Sequence, residues 1–350
     1  MKRITLIIII LISIFTLVFV YNDDFLYSSS VMKITSIKTV KEDTSQNQLG
    51  LKEEYYTKKI TGVITNGKDK NTKKQIVYEE SYSSVVTDKY RVGDKVMLDG
   101  SDINLKRDFY IVLLVVVFIN LIYIVGSYKG LLSIVSVIFN LIVFYIGLFL
   151  YFKGVNLLFL TVIEMIVFSI FSLILASGLN KKTLSAIISV IVSTIIMLVL
   201  IFIVVKSTRY NGINFNEISF LTIPLEDVVI PELLIGSVGA IMDVAITISS
   251  SISELIDKDK KISKRNLNKS AKEIGKDIMS TMSNVLFFTY LCAGLPIFVL
   301  ALRNGFSMYN YISTNFTLEL SRFLIGSIGI IMTIPISAFV SIKFMKRGAE

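Results

Sequence analysis

The sequence has no histidine, no tryptophan and a single cysteine, Cys292. Without histidine there can be no HExxH zinc site, no serine–histidine dyad and no haem or copper centre with imidazole ligands. One cysteine cannot form an intramolecular disulfide, so cysteine usage indicates no redox compartment. The chain also lacks a Walker A motif, which excludes that class of ATPase. We therefore expect no enzymatic activity, no catalytic residues, no cofactor and no metal site.

Apolar residues are abundant instead: they make up 53% of the 350 positions, and the mean hydropathy is +0.69. A helix needs ~20 apolar residues to cross the ~30 Å hydrocarbon core of a bilayer. Only helices and closed barrels can satisfy their backbone there, and the apolar runs of this chain are too long and uniform for barrel strands. The sequence predicts eight transmembrane helices, at residues 4–21, 109–126, 130–152, 155–177, 183–205, 231–252, 277–302 and 319–342.

Charge predicts how these helices are oriented. With the N-terminus inside, the inner segments hold sixteen lysines and arginines and the short outer segments hold four. This asymmetry follows the positive-inside rule, so we expect both termini to be cytoplasmic in a bacterial cell membrane, with residues 22–107 outside. The first run follows Lys2 and Arg3, as in a signal peptide. Its long apolar core and the lack of a clear A-x-A site favour an uncleaved anchor.

The sequence thus predicts a mainly α-helical, polytopic membrane protein with three parts: an anchor at 1–21, a small extracytoplasmic β-rich domain at 22–107 and a helical membrane domain at 108–350.

In the outer domain, residues 55–65 and 75–82 have strand composition on either side of an Asn66–Gly67 turn signal. Residues 90–98 are typical of a strand, a tight turn and a strand. We expect a small antiparallel barrel or sandwich, with residues 22–54 largely a tether. The domain is interpreted either as a solvated cap or as a module that binds a ligand or the cell wall.

Two of the predicted helices resemble each other. Residues 234–251 (LIGSVGAIMDVAITISSS) and 324–341 (LIGSIGIIMTIPISAFVS) are identical at nine of eighteen positions. In the predicted orientation both run from outside to inside, which a parallel repeat would produce. The small residues of each copy let another helix backbone approach closely, so we expect helix packing at Gly236, Gly239, Gly326 and Gly329.

A polar stripe follows one side of the first copy. Asp243 lies near the bilayer centre, roughly 16 Å from either end of its helix at 1.5 Å per residue. A carboxylate at that depth is costly and is a candidate functional site by default. Helical periodicity places on the same side Glu232, Gly236, Gly239, Asp243, Thr247, Ser250 and Glu254.

The next helix carries a matching stripe, which consists of Asp277, Ser280, Thr281 and Asn284. We predict a polar centre of Asp243, Asn284 and Thr247, reached from the cytoplasm past Glu254 and Asp277. The alternative interpretation of Asn284 and Ser280 is interhelical hydrogen bonding. Glu164, in the middle of the fourth run, is the other deep carboxylate. No lysine or arginine lies deep in any run, so both carboxylates must be protonated, hydrated, hydrogen-bonded or bound to a cation.

The sequence GSVGAIMDVAITISSSISEL at 236–255, a basic loop, and IGKDIMSTMSNVLFFTYLCAGLP at 274–296 resemble the YibE/F family of bacterial multi-spanning membrane proteins. The resemblance extends over most of residues 55–345. It implies the same fold, but no substrate, and the family is usually described as transporters of unknown specificity. The positions of this sequence that match the motif of the family are Gly236, Gly239, Asp243, Ser250, Glu254, Asp277, Thr281 and Asn284.

Three functions remain open from the sequence. The first is a permease for an unidentified small solute or ion, coupled to protons or cations through Asp243. The second is a non-transport envelope protein whose outer domain senses or scaffolds. The third is an intramembrane aspartyl protease, which Asp243 and Asp277 fit poorly because they lie at different depths. The expected partners are the lipid bilayer, the solute or cation, and a second copy of the chain in a homo-oligomer; we expect no nucleic acid.

Overall fold

The computed structural model describes residues 2–46, 52–82, 88–100, 102–208, 225–314 and 316–346. Its contacts divide the chain into two compact units, Met1–Leu131 and Leu132–Glu350. The first unit holds helix α1 (Lys2–Tyr21), a single 3₁₀ turn (Asp23–Leu26), a β-sheet and the beginning of helix α2 (Asp108–Phe152).

The described strands of the first unit form one antiparallel sheet. They are β1 (Ser30–Gln46), β2 (Lys52–Ile64), β3 (Lys73–Ser81), β4 (Lys95–Asp99) and β5 (Asp102–Leu105). Their order is β3-β2-β1-β4-β5, so β3 and β5 are the edges of an open sheet. The expected barrel or sandwich is therefore wrong, although the expected β-rich domain is present. The sheet is stabilised by a core of Met32, Ile34, Ile60, Tyr90, Val96 and Leu98.

The prediction of a tether at residues 22–54 is wrong for most of that segment. β1 lies in the middle of the sheet and pairs with both β2 and β4. Its fully buried side chains, Val31, Met32 and Ile34, all lie within its first five residues. The remainder is mostly polar or charged, and for that reason the alternation of a strand is weak in the sequence.

The predicted tight turn at Asn66–Gly67 is part of a longer loop, because β2 ends at residue 64 and β3 begins at residue 73. Asn66 is buried and fixes the start of β1. Its side-chain oxygen accepts a hydrogen bond of 2.6 Å from the Val31 backbone N–H. Its side-chain nitrogen lies 2.9–3.1 Å from the backbone carbonyls of Asp24, Tyr27 and Ser29. The asparagine therefore acts as a structural anchor rather than as a hairpin residue.

A buried lysine, Lys106, joins the sheet to the chain segments beside it. Its ammonium group donates to Asp23 and, at 2.8 Å, to Asp24, and it lies 3.3 Å from Asp108. Burial alone would lower the pKa of Lys106, but the carboxylates of Asp23 and Asp24 outweigh burial and raise it. Burial likewise opposes ionisation of Asp24, yet Lys106 and Lys95 hold the pKa of Asp24 below its usual value.

Helix α2 has a break that the sequence predicts. Ser127 has non-helical angles (φ 49°, ψ −131°) between the second and third apolar runs.

The remaining helices are α3 (Leu157–Ser177), α4 (Lys181–Thr208), α5 (Leu225–Lys258), α6 (Lys264–Arg303), α7 (Met308–Thr314) and α8 (Thr317–Lys346). Six of the described helices, α2–α6 and α8, are long and apolar enough to cross a membrane, and α1 is a shorter apolar helix. Each predicted run falls on one of these seven helices, two of them on α2.

The two copies of the repeat pack against each other as parallel helices. Ser237 lies beside Gly326, Ile241 lies beside Gly329, and the hydroxyls of Ser249 and Ser341 are 2.8 Å apart. The contacts advance together along α5 and α8, which is the mark of a parallel pair. Ser249 and Ser341 are fully buried, so their hydrogen bond contributes to the specificity of helix pairing as well as to packing.

Helix α6 runs antiparallel to this pair, because Gly275 lies against Ile334 and Leu286 lies against Gly326. Helices α5, α6 and α8 therefore form one packed group. Helix α4 joins the group on the other side: Met197 and Ile201 are buried with Leu233, Leu234 and Ile241 of α5.

Candidate functional site

A cavity of about 440 Å³ lies inside the second unit, between helices α2, α3, α5, α6 and α8. Most of its wall is apolar, as expected for a membrane domain. Five residues give it polar groups: Thr161, Glu164, Glu232, Tyr290 and Arg322. A largely apolar cavity with a few converging polar groups is the usual form of a small-molecule site.

Glu164 is the deepest carboxylate in this cavity. It lies on α3, where it is 6% exposed, and among the described residues it has no hydrogen bond or ion pair. Its carboxylate fits over Gly147 of α2, and a methyl group there would overlap Glu164 Oε1 and stand 2.7 Å from Cδ. Thr161, one turn earlier on α3, is 1% exposed, and its hydroxyl also lacks a partner among the described residues. Buried polar groups without partners are costly in a protein and mark places where water, a proton or a ligand binds.

The second charged group is an arginine held by two carboxylates. Arg322 of α8 donates to Glu319 on its own helix and to Glu232 on α5. The side chains of Arg322 and Glu319 are 16% and 15% exposed, and that of Glu232 is 34% exposed, so the cluster is partly buried. The Arg322 Nε and one oxygen of Glu319 are buried without a partner among the described residues. The two carboxylates therefore fix the position of the arginine, but among the described residues its Nε–H has no acceptor.

Tyr290 of α6 lines the cavity. Its hydroxyl donates to the backbone carbonyl of Gly236 at 3.1 Å, and a side chain at residue 236 would overlap that hydroxyl. Gly236 thus allows α6 to approach α5 at the level of the cavity, as the sequence predicts.

The charges lining the cavity do not balance. Glu164 and Glu232 oppose one arginine, so the lining carries a net negative charge when both carboxylates are ionised. In a low-dielectric cavity this charge must be compensated. Glu164 has no partner within the described part of the chain, so it is the group that a proton, a metal cation or an organic ammonium would neutralise.

The residues predicted to form a polar centre are placed elsewhere. Asp243, Glu254, Asp277, Ser280 and Asn284 are exposed on the surface of the chain, and Thr247 is half-buried. Thr247 donates to the carbonyl of Asp243 at 2.7 Å, an ordinary bond within the helix. Among the described residues no hydrogen bond joins Asp243 to Asn284. From Gly239 onward the stripe lies on the side of α5 that faces away from α4 and α8, whose contacts are made by the opposite side. Its first two members, Glu232 and Gly236, instead contact Arg322 of α8 and Tyr290 of α6.

Three of the four predicted packing glycines contact another helix. Gly236 meets Tyr290, Gly326 has Leu286 2.9 Å from its Cβ position, and Gly329 has Ile241 at 3.2 Å. Gly239 differs: no described atom lies within 4 Å of its Cβ position, because it lies on the exposed stripe beside Asp243. The expected close packing at Gly239 is therefore wrong for the single chain.

Two further polar contacts join neighbouring helices. Asn140 of α2 donates to the hydroxyl of Ser172 on α3 at 2.9 Å, and Asn120 donates to Ser13 of α1 at 2.8 Å. The sequence did not predict the roles of Arg322, Tyr290 and Thr161 in the cavity. One signal was available: Glu232 and Arg322 are 90 residues apart, as are the two copies of the repeat.

Apolar helices of membrane-spanning length, a charged cavity between them and a small N-terminal sheet define a multi-pass helical membrane protein. The family model described as YibE/F-like protein matches residues 114–347, and the one described as YibE/F family N-terminal domain matches residues 25–109. The chain belongs to the YibE/F family. Comparisons with curated proteins and with solved structures give no match.

Proposed function

We propose that this protein is a permease for a small solute or ion, and that Glu164 couples transport to a proton or cation. The observation that carries the proposal is a buried carboxylate without a partner among the described residues, in a cavity of about 440 Å³ inside a membrane domain. A helical anchor for an outer domain has no need of such a group. In membrane proteins, buried ionisable residues mark ion paths and proton relays.

The proposal includes eight membrane crossings with both termini cytoplasmic and residues 22–107 outside. Helix α2 has 45 residues, or about 68 Å at 1.5 Å per residue, which exceeds twice the ~30 Å hydrocarbon core. The break at Ser127 divides α2 where the sequence predicts a turn. With α1 as a further crossing, this threading puts Glu164 roughly 10 Å below the outer end of α3.

The charge of the cavity indicates the chemistry of what enters it. A cation or a protonated amine would bind at Glu164, since that carboxylate is unpaired among the described residues. Arg322 shares Glu232 and Glu319, so the anionic part of a zwitterionic solute would have to displace one of them. We therefore favour a cation, an amine or a proton over an anion.

Asp243 remains a second candidate for the carboxylate that couples transport to a proton or cation. It lies on the same helix as Glu232, nearer the cytoplasm. It lies on the exposed side of α5, and a carboxylate at mid-membrane is costly against lipid. A second copy of the chain covering this side stays a prediction.

The test of the function is ion flux in proteoliposomes that contain the purified full chain. Protons would be followed with an enclosed pH-sensitive dye, and sodium and potassium with radioactive tracers. We expect flux above that of empty vesicles for at least one of these ions. Glu79→Gln, a change of an exposed glutamate in β3, should leave this flux unchanged. Vesicles indistinguishable from empty ones for every ion would favour the alternative, an envelope protein whose outer domain senses or scaffolds.

A further inference from the structure

The beginning of α6 extends beyond the apolar run and carries a row of cations. Arg265, Lys269, Lys272 and Lys276 are spaced i, i+4, i+7 and i+11. At 3.6 residues per turn this spacing places all four on one side of the helix, within about 60° of arc. The opposite side of the same segment is buried at Leu267, Ala271 and Gly275. The cations therefore project from a helix that is fixed in place.

These cations border a groove of about 1,210 Å³ between α6 and α8. The other wall is apolar and includes Ile331, Ile334 and Phe339 of α8. Its floor forms where Gly275 lets the two helices approach, because Ile334 has atoms 3.3 Å from the Cβ position of that glycine. We call this feature the basic groove and define it by Arg265, Lys269, Lys272, Ile331, Ile334 and Phe339.

The positive charge of the basic groove is largely uncompensated. Lys276 pairs with Glu273 at 3.0 Å, in an exposed ion pair on the same helix. Arg265, Lys269 and Lys272 have no ion pair among the described residues, and all three are exposed. Lys343 adds a further cation beside the groove, with its ammonium group 5.6 Å from the centre of the Phe339 ring.

The polarity of the groove changes along its length. Its cations lie just before the apolar run that begins at residue 277, at the boundary between water and hydrocarbon. Because α6 and α8 are antiparallel, Ile331 lies further along the apolar part of α6 than Phe339 does. A ligand that fills this groove has an anionic group at one end and a hydrocarbon chain at the other.

We propose that the basic groove binds an anionic phospholipid, with its phosphate on Arg265, Lys269 and Lys272 and an acyl chain along Ile331 and Ile334. Basic pockets between membrane helices recognise acidic headgroups, and each lysine or arginine near an anionic lipid contributes a factor of roughly five in binding. The apolar wall favours a lipid over a free phosphate, which would leave that wall exposed. The inference does not depend on the permease proposal, since it requires only that α6 crosses the membrane boundary.

The test uses the absence of tryptophan from the chain. Phe339→Trp places the single indole of the protein in the basic groove. The full chain would be incorporated into phosphatidylcholine nanodiscs that contain either brominated phosphatidylglycerol or brominated phosphatidylcholine, and the bromines quench nearby indoles. We expect phosphatidylglycerol to quench at a roughly hundredfold lower mole fraction, since each of the three cations contributes a factor of roughly five to its binding.

A matched pair of triple variants identifies the cations responsible. In the Phe339→Trp background, R265Q/K269Q/K272Q should abolish the preference for phosphatidylglycerol, whereas K258Q/K260Q/K261Q removes the same charge from outside the groove and should preserve it. High KCl should weaken the preference in the unmodified groove. Equal quenching by both lipids at low salt, or equal loss in both triple variants, would overturn the proposal. Relief of quenching by millimolar inorganic phosphate would assign the site to soluble phosphate and would also overturn it.

Discussion

Glu232 and Arg322 form an ion pair between two parallel helices, α5 and α8, and they occupy equivalent positions of the internal repeat, 90 residues apart. Each residue lies two positions before its copy of the repeat, 234–251 or 324–341, and the two carry opposite charges. The same pair lines the cavity that contains Glu164. The repeat therefore places complementary charges at the cavity and keeps them in register.

Loss of Arg322 should destabilise the helical unit. Arg322→Gln leaves Glu232 and Glu319 near each other without their shared cation, and removing one partner of a partly buried pair costs about 1–3 kcal/mol. We expect a clear drop in the thermal unfolding temperature in detergent. Arg303→Gln, at the exposed end of α6, removes the same charge and should change the unfolding temperature little. Equal stability of the two variants would show that the ion pair is not structural.

The two glycines of the first repeat copy should respond differently to the same change. Gly236→Leu would force Tyr290 away from α5, and such overpacking costs about 1–3 kcal/mol. Gly239→Leu faces open space and should be tolerated. Both changes give the same gain in helix propensity, so their unfolding temperatures can be compared directly. A loss of stability at Gly239 alone, dependent on protein concentration, would instead indicate that another copy of the chain packs there.

These two glycines show what periodicity can predict. The sequence correctly places Glu232, Gly236, Gly239 and Asp243 on one side of a helix, because side-chain direction follows from helical geometry alone. It does not tell which side packs against the rest of the protein. Here the more apolar side contacts α4 and α8, and most of the polar stripe is left outside.

The membrane helices were predictable because apolar runs of sufficient length have few alternatives in a bilayer. The ion pair of Arg322 was not, because it joins residues 90 positions apart near the ends of two apolar runs. Glu164 could be singled out from its depth in a run, but its place in a cavity depends on Gly147 of another helix. Long-range contacts of this kind are set by tertiary packing, which no local pattern encodes.

The charge cluster of the sheet unit should make its stability depend on pH. The pKa of Asp24 is held below its usual value of 3.8, so its contribution is present above pH 3.8 and is lost as the pH falls through the lower folded value. In Lys106→Met the carboxylates of Asp23, Asp24 and Asp108 lack their common cation and should repel one another. We therefore expect β1 of the wild type to lose protection from hydrogen exchange on acidification. In the variant, acidification should increase this protection, because protonation relieves the repulsion between the carboxylates. Parallel pH profiles for the two proteins would rule out this role of Lys106.

The proposed orientation can be tested by cysteine labelling of intact cells. With the exposed Cys292 replaced by serine, Lys70→Cys should react with a membrane-impermeant maleimide, because the proposed threading puts residue 70 outside the cell. Lys264→Cys, at the start of α6, should react only after the cells are permeabilised. Labelling of residue 264 in intact cells would reverse the threading and with it the proposed location of both termini.

Proton or cation flux through Glu164→Gln proteoliposomes tests the central claim most directly. The change keeps the size of the side chain and removes its ability to ionise, so we expect folding to be retained and coupled flux to be lost. Asp243→Asn, measured alongside, tests the second predicted carboxylate, and Glu79→Gln provides the control. Flux at the wild-type level in Glu164→Gln would contradict the account, because the buried carboxylate would then have no part in transport.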